Sequence, residues 1–395
     1  EVLEMVGNDD VENMGIEFDD NEVYNMCLEI FSTAMPQVSS LPVVERYRIF
    51  FPTIEKYWQN RHLYCANGSH HLPLNCPIKD LDMSGTKTKM MWLESVETNF
   101  MFDVAPRSHY TLSIKNDNPK SRSLKSQDTI AYVHEDYLHK VIDRHWKHKS
   151  ILLEPSLNSK ASESKRIVDM AGTDYVMLDF KAMEKQHSNK TCYEVKAALC
   201  DFFGLPDKMK NWYCSAEKNQ FLIYNGKALK ILRGMPSGRR GTSFYNSLLN
   251  YIYIQIPCNK ANVTIDSRFH VGDDVALRFM KTEMARKCLT TCMNSKSVFS
   301  WRKLSWGGNA EFLRHSITKD KSMGYVNRSI AAFVCGNWTN DLKLTGGSKP
   351  EIYARYSWTI DVRNMGVKCA YTFMSLSLHK STGLSYSTCK LICSH

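Results

Sequence analysis

Phe269-His270-Val271-Gly272-Asp273-Asp274-Val275-Ala276-Leu277 reads as two short apolar runs folded about an acidic turn. Val271 and Val275 are β-branched and Phe269 is aromatic, as strand residues usually are, and glycine at the bend supplies the positive φ that a tight hairpin needs. Two adjacent aspartates at the tip of a core hairpin repel one another unless a cation or bulk water intervenes. A solvated turn would explain Gly272-Asp273-Asp274 taken alone. The apolar flanks weaken that explanation, because they bury the strands that carry the turn.

Upstream, Tyr175-Val176-Met177-Leu178-Asp179-Phe180 is another β-prone apolar run that closes on an acid. If these strands are neighbours in one sheet, Asp179, Asp273 and Asp274 meet at one edge. Carboxylate oxygens are the ligands that hard divalent ions such as Mg²⁺ require. Two such ions roughly 4 Å apart can activate an attacking hydroxyl and stabilise a leaving oxygen together.

Between the two runs lies Ser237-Gly238-Arg239-Arg240-Gly241-Thr242-Ser243-Phe244-Tyr245-Asn246. Here a Ser-Gly loop opens a helix expected to run from Ser237 to about Ile254 and to be closed by Pro257. Thr242 and Asn246, four residues apart, share one face of it. Gly238 permits close backbone approach, and the amide of Asn246 both donates and accepts, as recognition of a ribose 2′-hydroxyl requires. Ser237 as a simple helix cap is the plain alternative. A second amphipathic helix is expected near 191–203, stopped by Gly204 and Pro206, and a hairpin over 220–232 turns on Asn225-Gly226.

The remaining 395-residue chain sets the context. It is long for one compact domain of about 100–200 residues, so several subdomains around one site are expected. Residues 1–22 carry nine acids and no Lys or Arg. All 51 basic residues therefore lie in 23–395, which leaves that body with a balance of +19. A polyanionic partner suits such a surface. Residues 107–166 form a basic belt whose simplest reading is a solvated charged face. No apolar run reaches the ~18 residues of a membrane span, and the acidic N-terminus does not resemble a secretory signal. The chain opens on Glu1 rather than Met, as a fragment or a piece of a larger polyprotein would. Thirteen cysteines, odd in number and without a CxxC pair, point to reduced thiols in the cytoplasm. Cys65, His70, His71 and Cys76 are close in sequence, but their spacing is not that of a usual structural zinc site. Five N-x-S/T triplets, at Asn67, Asn189, Asn262, Asn327 and Asn337, are read as chance.

The order of these motifs resembles the palm of viral RNA-directed RNA polymerases. A strand ending in Asp precedes S-G-x-x-x-T-x-x-x-N by 58 residues, and the Gly-Asp-Asp hairpin follows 36 residues later, counted from Asp179 to Ser237 to Asp273. The finer likeness is to totiviruses and related double-stranded RNA viruses. It rests on Leu178-Asp179-Phe180 with Gln186-His187-Ser188, on Met235-Pro236-Ser237-Gly238 with Thr242-Ser243-Phe244 and Asn246, and on His270-Val271-Gly272-Asp273-Asp274-Val275. Lys303-Leu304-Ser305-Trp306-Gly307 and Glu311-Phe312-Leu313-Arg314 extend it, so that about 145–318 is covered.

The resemblance implies an α+β right-hand polymerase fold with an antiparallel palm sheet, helical fingers and a partial thumb. Its parts would be 1–170 as N-terminal extension and fingers, 171–190 as palm, 191–235 as a fingers insertion, 236–318 as palm and 319–395 as partial thumb. It implies nucleotidyl transfer from NTPs to an RNA 3′ end on an RNA template, with two Mg²⁺ (or Mn²⁺) ions on Asp179 and Asp273, assisted by Asp274. Lys303 would protonate the departing pyrophosphate. Glu184, Ser237, Gly238, Thr242 and Asn246 would face the nucleotide, Arg239, Arg240 and Arg314 the RNA. The expected partners are template and product RNA, NTPs and a viral capsid protein, in the host cytoplasm within the virion, with no membrane.

The chain departs from the family pattern at two places. Glu184 stands where the family has Asp or Asn. In Lys125-Ser126-Gln127-Asp128-Thr129-Ile130-Ala131-Tyr132 no Arg stands where relatives grip the triphosphate, a task that Lys120, Arg122 and Lys125 would take over as point charges. Three rival readings compete. A reverse transcriptase would carry an aromatic residue before the paired aspartates, where this chain has Gly272. A catalytically inactive or genome-integrated relative would bind RNA without synthesis. A plain basic RNA-binding module leaves the ordered acids unexplained.

Overall fold

In a computed structural model the chain is described at residues 16–19, 21–49, 53–78, 88–117, 120–153, 174–300, 302–313, 315–318, 322–324, 375–376, 379–380 and 385–394. The helices that frame the site are α1 (Glu22–Ala34), α2 (Thr129–His145), α3 (Asn189–Phe202), α4 (Asp207–Lys218), α5 (Thr242–Lys260) and α6 (Thr282–Met293). The strands are β1 (Ser108–Asp117), β2 (Lys120–Gln127), β3 (Asp174–Asp179), β4 (Gln220–Tyr224), β5 (Lys227–Lys230), β6 (Ser267–Val271), β7 (Asp274–Phe279), β8 (Ser305–Gly307), β9 (Ala310–Phe312), β10 (His315–Ile317) and β11 (Ser322–Gly324).

The sheet that matters for chemistry has the order β6-β7-β3-β8, with every pair antiparallel. Side chains alternate across it. Val176 and Leu178 of β3 enter the main core with Val275 and Leu277 of β7, while Tyr175 and Met177 join Phe269, Ala276 and Phe312 in a smaller cluster on the other face. Both faces are thus covered, which is why β3 reads as an unbroken apolar run rather than an alternating one. A one-residue slip would exchange the two faces, so the register is strongly specified.

Helices α5 and α6 pack on this sheet, α5 against β6 and α6 against β3 and β7. α5 is buried on several sides through Phe244, Tyr245, Leu248, Leu249, Ile252, Tyr253, Ile254, Ile256 and Cys258. Such an all-round apolar helix belongs in an interior. Its limits differ from those expected. It begins at Thr242, after Gly241 at φ 91°, and continues through Pro257 to Lys260. Proline forfeits one helical hydrogen bond, but the buried Ile254, Ile256 and Cys258 on either side keep the last turn packed.

A second sheet, β2-β1-β4-β5, pairs β1 with β2 antiparallel and with β4 parallel. The expected hairpin is β4–β5, turning on Asn225 and Gly226 at φ 49° and 72°. Helix α3 ends at Phe202, before Gly204 at φ 59°, where a Cβ would come within 2.2 Å of the Val43 carbonyl oxygen. Of the basic side chains of 107–166 whose burial is described, Arg144, Lys147 and Lys149 are exposed and Arg107 and Lys140 half-buried, as a solvated face would have them, whereas Lys125 is buried, and so is most of α2 between them. Asp128 caps this helix, accepting the Ala131 N–H at 2.9 Å, and Thr129 through His139 are buried. The cause is long-range: α2 is packed around by aromatic side chains such as Tyr57 and Tyr213, which no window of local sequence reveals. Strands β9, β10 and β11 form a small third sheet. Most of 319–395, expected as a partial thumb, lies outside the described residues.

Candidate active site

The hairpin geometry brings the acids to one edge. Asp179, the last residue of β3, is paired across the sheet with Asp274, the first of β7, and Asp273 occupies the two-residue turn joining β6 to β7. Gly272 has φ 59° there, the conformation a hairpin reserves for glycine at this place. The Asp274 carboxyl is pushed up to about 6 by loss of water around it and by the like charges of Asp273 and Asp179, with Glu311 adding to the rise and Lys303 opposing it. Four carboxylates therefore share one electrostatic neighbourhood. Lys303 Nζ donates to Asp179 Oδ1 at 3.0 Å from an exposed position.

Helix α5 holds the turn from beneath. The Gly272 N–H donates to Ser247 Oγ at 2.8 Å. Asn250 Nδ2 donates to the Gly272 carbonyl at 3.0 Å, and its Oδ1 lies 3.0 Å from His270 Nδ1. One turn earlier on α5, Asn246 Oδ1 lies 2.9 Å from Nε2 of the buried His187. Ser247, Asn250, His270 and His187 were not singled out by sequence reasoning. The available signal was the recurrence of Ser243, Asn246, Ser247 and Asn250 in an otherwise apolar helix, where each polar group needs a partner.

The loop before α5 docks on β2. The Gly238 N–H donates to the Lys125 carbonyl at 3.1 Å, and a Cβ on Gly238 would approach that oxygen to 2.4 Å, so the glycine is required by close contact. Ser237 Oγ reaches the Ser123 carbonyl at 3.4 Å, and Thr242 Oγ1 donates to the Arg239 carbonyl at 2.7 Å. The backbone carbonyl of half-buried Glu184 accepts the Met235 N–H at 2.8 Å, tying the turn after β3 to the same loop.

The two loop arginines are placed otherwise than expected. Arg239, expected to face RNA, lies inside the fold at 5% exposure. Its guanidinium grips Glu217 through both terminal nitrogens, at 2.7 and 2.5 Å, and reaches Glu135 at 3.0 Å. Lys196 Nζ completes this buried group at 2.9 and 2.8 Å from the two Glu135 oxygens. Arg240 is half-buried and pairs with Asp136 at 2.7 Å and Asp143 at 2.8 Å. The reason is that four elements, α2, α3, α4 and this loop, contribute charges that only their packing brings together. Lys125 is also buried, with Nζ 3.4 Å from Ser123 Oγ. The side chains of Lys120 and Arg122, and all of Arg314, lie outside the described residues.

The donor chemistry at the acid edge fits hard divalent cations, since its oxygens are anionic and mutually repelling. The only group of three or more metal-competent side chains with ligand atoms all within 4.8 Å of one another, among the described residues, is instead Cys258, Cys288 and Cys292. These thiols lie between α5 and α6 without the fourth donor of a closed zinc site, and act as small apolar core residues. Cys65, His70, His71 and Cys76 form no such group: His70 Nδ1 contacts Thr129 Oγ1 at 2.7 Å and Cys65 Sγ contacts the Tyr57 hydroxyl at 3.1 Å. Among the described residues no helix is long and apolar enough to cross a membrane.

Comparison with known proteins finds relatives of the chain and a likeness of fold. The family model described as viral RNA-directed RNA-polymerase matches residues 8–338. A probable RNA-directed RNA polymerase of Helminthosporium victoriae virus-190S is 30% identical over 302 residues, 74% of this chain and 35% of that protein. One from Leishmania RNA virus 1 - 1 is 28% identical over 313 residues, 76% of this chain and again 35% of the relative. The chain thus spans about a third of the length of these relatives. Among solved structures, the BmCPV RNA-dependent RNA polymerase at its elongation state superposes with a TM-score of 0.54 at 10% identity, over 82% of this chain and 30% of that one, a likeness of fold.

Proposed function

Because this chain belongs to the viral RNA-directed RNA polymerase family, we propose that it carries the catalytic centre for template-directed nucleotidyl transfer from NTPs to an RNA 3′ end. Its fold is the right-hand polymerase fold, and we assign the antiparallel sheet with α5 and α6 to the palm (171–190 and 236–318). The fingers would comprise 1–170 and 191–235, and the partial thumb 319–395.

The observation that carries this reading is the cross-strand pairing of Asp179 with Asp274 beside the Asp273 turn, where loss of water and then like charges lift the Asp274 carboxyl. Asp179 and Asp273 would hold two Mg²⁺ or Mn²⁺ ions with help from Asp274, and those ions would supply Lewis-acid activation of the 3′-hydroxyl and neutralise the leaving pyrophosphate. Lys303, already hydrogen-bonded to Asp179, is near enough to the acids to deliver a proton to the leaving group. Ser237, Gly238, Thr242, Asn246 and Glu184 would position the ribose and the template base. Lys120 and Arg122 would meet the triphosphate, a task from which burial withdraws Lys125, and Arg314 the primer strand. The buried ion pairs of Arg239 remove it from the RNA contacts. Template and product RNA are the partners of this reading, with a capsid protein and a cytoplasmic, virion-enclosed setting as its wider context.

A primer-extension assay with Mg²⁺ or Mn²⁺ tests it, comparing the wild-type chain with Asp273→Asn. Synthesis is expected from the wild type alone, with RNA binding largely kept in both. Synthesis surviving in Asp273→Asn would overturn the metal assignment, and wild-type binding without synthesis would mark an inactive relative.

A further inference from the structure

We propose that His187 is a positioning residue for sugar selection, holding the Asn246 amide so that its N–H group faces the incoming ribose. The inference rests on the polymerase reading and extends it to a residue outside the metal and nucleotide sets.

His187 is wholly buried, and both ring nitrogens are engaged by α5. Nε2 lies 2.9 Å from Asn246 Oδ1, and Nδ1 lies 2.9 Å from the Tyr253 hydroxyl. An amide oxygen only accepts, so Nε2 must carry the proton. Nδ1 is then bare in a neutral ring and must accept from Tyr253, whose hydroxyl donates. Neutrality follows from burial, which pushes the imidazole down to about 4 despite its bond to Asn246. The direction of donation is therefore fixed from Tyr253 through His187 to Asn246.

Asn246 and Tyr253 are seven residues apart on one helix, two turns along the same face. The imidazole is clamped between them. Its own backbone is tied down as well, because the His187 carbonyl accepts the Gly234 N–H at 2.9 Å and its neighbour Ser188 bridges to Arg233. With Oδ1 held by His187 the amide cannot flip, so the half-buried Asn246 keeps its Nδ2 hydrogens on the other side for a ligand. A donor requires an acceptor, and the 2′-oxygen of a ribose is one. A 2′-deoxy sugar has none, and leaves that donor unpaired. Were the amide free to rotate, the sugar would have to order it on binding, and the gain from that contact, and with it the distinction, would weaken.

The test is kcat/KM for a matched NTP against its 2′-deoxy counterpart, measured on the whole chain with a primed RNA template. Asn246→Ala and His187→Ala are each expected to lower the ribose-to-deoxyribose ratio about tenfold, the worth of one ordinary hydrogen bond. The double variant should lose no more than either single one, because both remove the same contact. His187→Gln, which can still donate to Asn246, should restore part of the ratio. Tyr253→Phe should lower it by roughly two- to threefold, since the bare Nδ1 loses the donor that orients the ring. An unchanged ratio in His187→Ala, or additive losses in the double variant, would overturn the proposal. If His187→Ala fails to fold, Tyr253→Phe decides, and an unchanged ratio there counts against it. A wild type that makes no RNA at all defeats the polymerase reading, whereas synthesis with selectivity indifferent to His187 defeats only this inference.

Discussion

The molecule gathers charge in two places, and they are built on opposite plans. At the sheet edge, Asp179, Asp273, Asp274 and Glu311 act on one another with Lys303 as the cation paired there, so negative charge is in excess. Among α2, α3, α4 and the loop before α5, Glu135 and Glu217 are matched by Lys196 and Arg239, two against two, with hydrogen bonds of 2.5–3.0 Å. The inner group is neutral, buried and complete. The edge group is unbalanced and open. A buried charge cluster that is fully paired serves to fix its elements in one arrangement, and removing one partner leaves an orphan charge. An unbalanced cluster at a rim is relieved by bulk water or by a cationic ligand, and under the proposed function it is the ligand that does so.

That contrast can be broken experimentally, beginning where the effect is largest. Asp273→Asn should lower RNA synthesis on the order of 10³-fold or more, since metal-held charge stabilisation is worth several kcal/mol. Its thermal midpoint should stay level or rise, because a repulsion is removed. A fall in midpoint would show the edge to be structural after all. Arg239→Met should do the reverse and destabilise the fold by about 3–5 kcal/mol, because Glu217 is left buried without a cation while Glu135 keeps only Lys196. Denaturant melts measure this, and a stability near wild type would show that the inner group is dispensable.

Acid sharpens the comparison further. Burial alone would raise the Glu135 carboxyl, yet Lys196 and Arg239 hold it down to about 2, below its ordinary value of 4.5. The folded chain therefore binds fewer protons at this site than the unfolded chain. The stability it lends is complete above about 4.5 and is lost as pH falls toward 2. Melts between these limits should show that loss, and Glu135→Gln should flatten this part of the profile. The smallest effect belongs to Lys303, an exposed side chain. Lys303→Ala should change stability by less than about 1 kcal/mol, as exposed pairs do, while still slowing nucleotide incorporation. A large stability loss would mean that Lys303 braces the sheet edge.

The parts of the acid edge were legible from sequence because each is local, while the meeting of Asp179 with Asp274 stayed a condition that the β3–β7 pairing supplies. Val176, Leu178, Val275 and Leu277 declare their strands by composition, Gly272 declares the turn, and the acids sit at the ends of those strands. The inner group was not legible. Arg239 and Arg240 stand beside a conspicuous Ser-Gly loop and were read as RNA contacts, yet Arg239 meets Glu135 across 104 residues and Glu217 across 22. Charge along a chain carries no information about which distant charge will neutralise it. The start of α5 was misplaced for a related reason: residues 237–241 have loop geometry because they must fit against β2 and His139, where a Cβ on Gly241 would come within 2.0 Å of Nε2.

By itself, then, the amino-acid order determined the strands that carry the acids, the hairpin on Asn225-Gly226, the three aspartates and the family likeness, since each depends on neighbours a few positions away or on spacing that can be counted. Only the tertiary structure decided which polar groups are working surface and which are internal scaffolding. Asn246 and Arg239 lie seven positions apart in the same motif, and one is half-open while the other is enclosed. What separates them is the packing of α2, α3 and α4 around the loop: hydrogen bonds and ion pairs act over a few ångströms, and only folding brings residues so far apart along the chain within that reach.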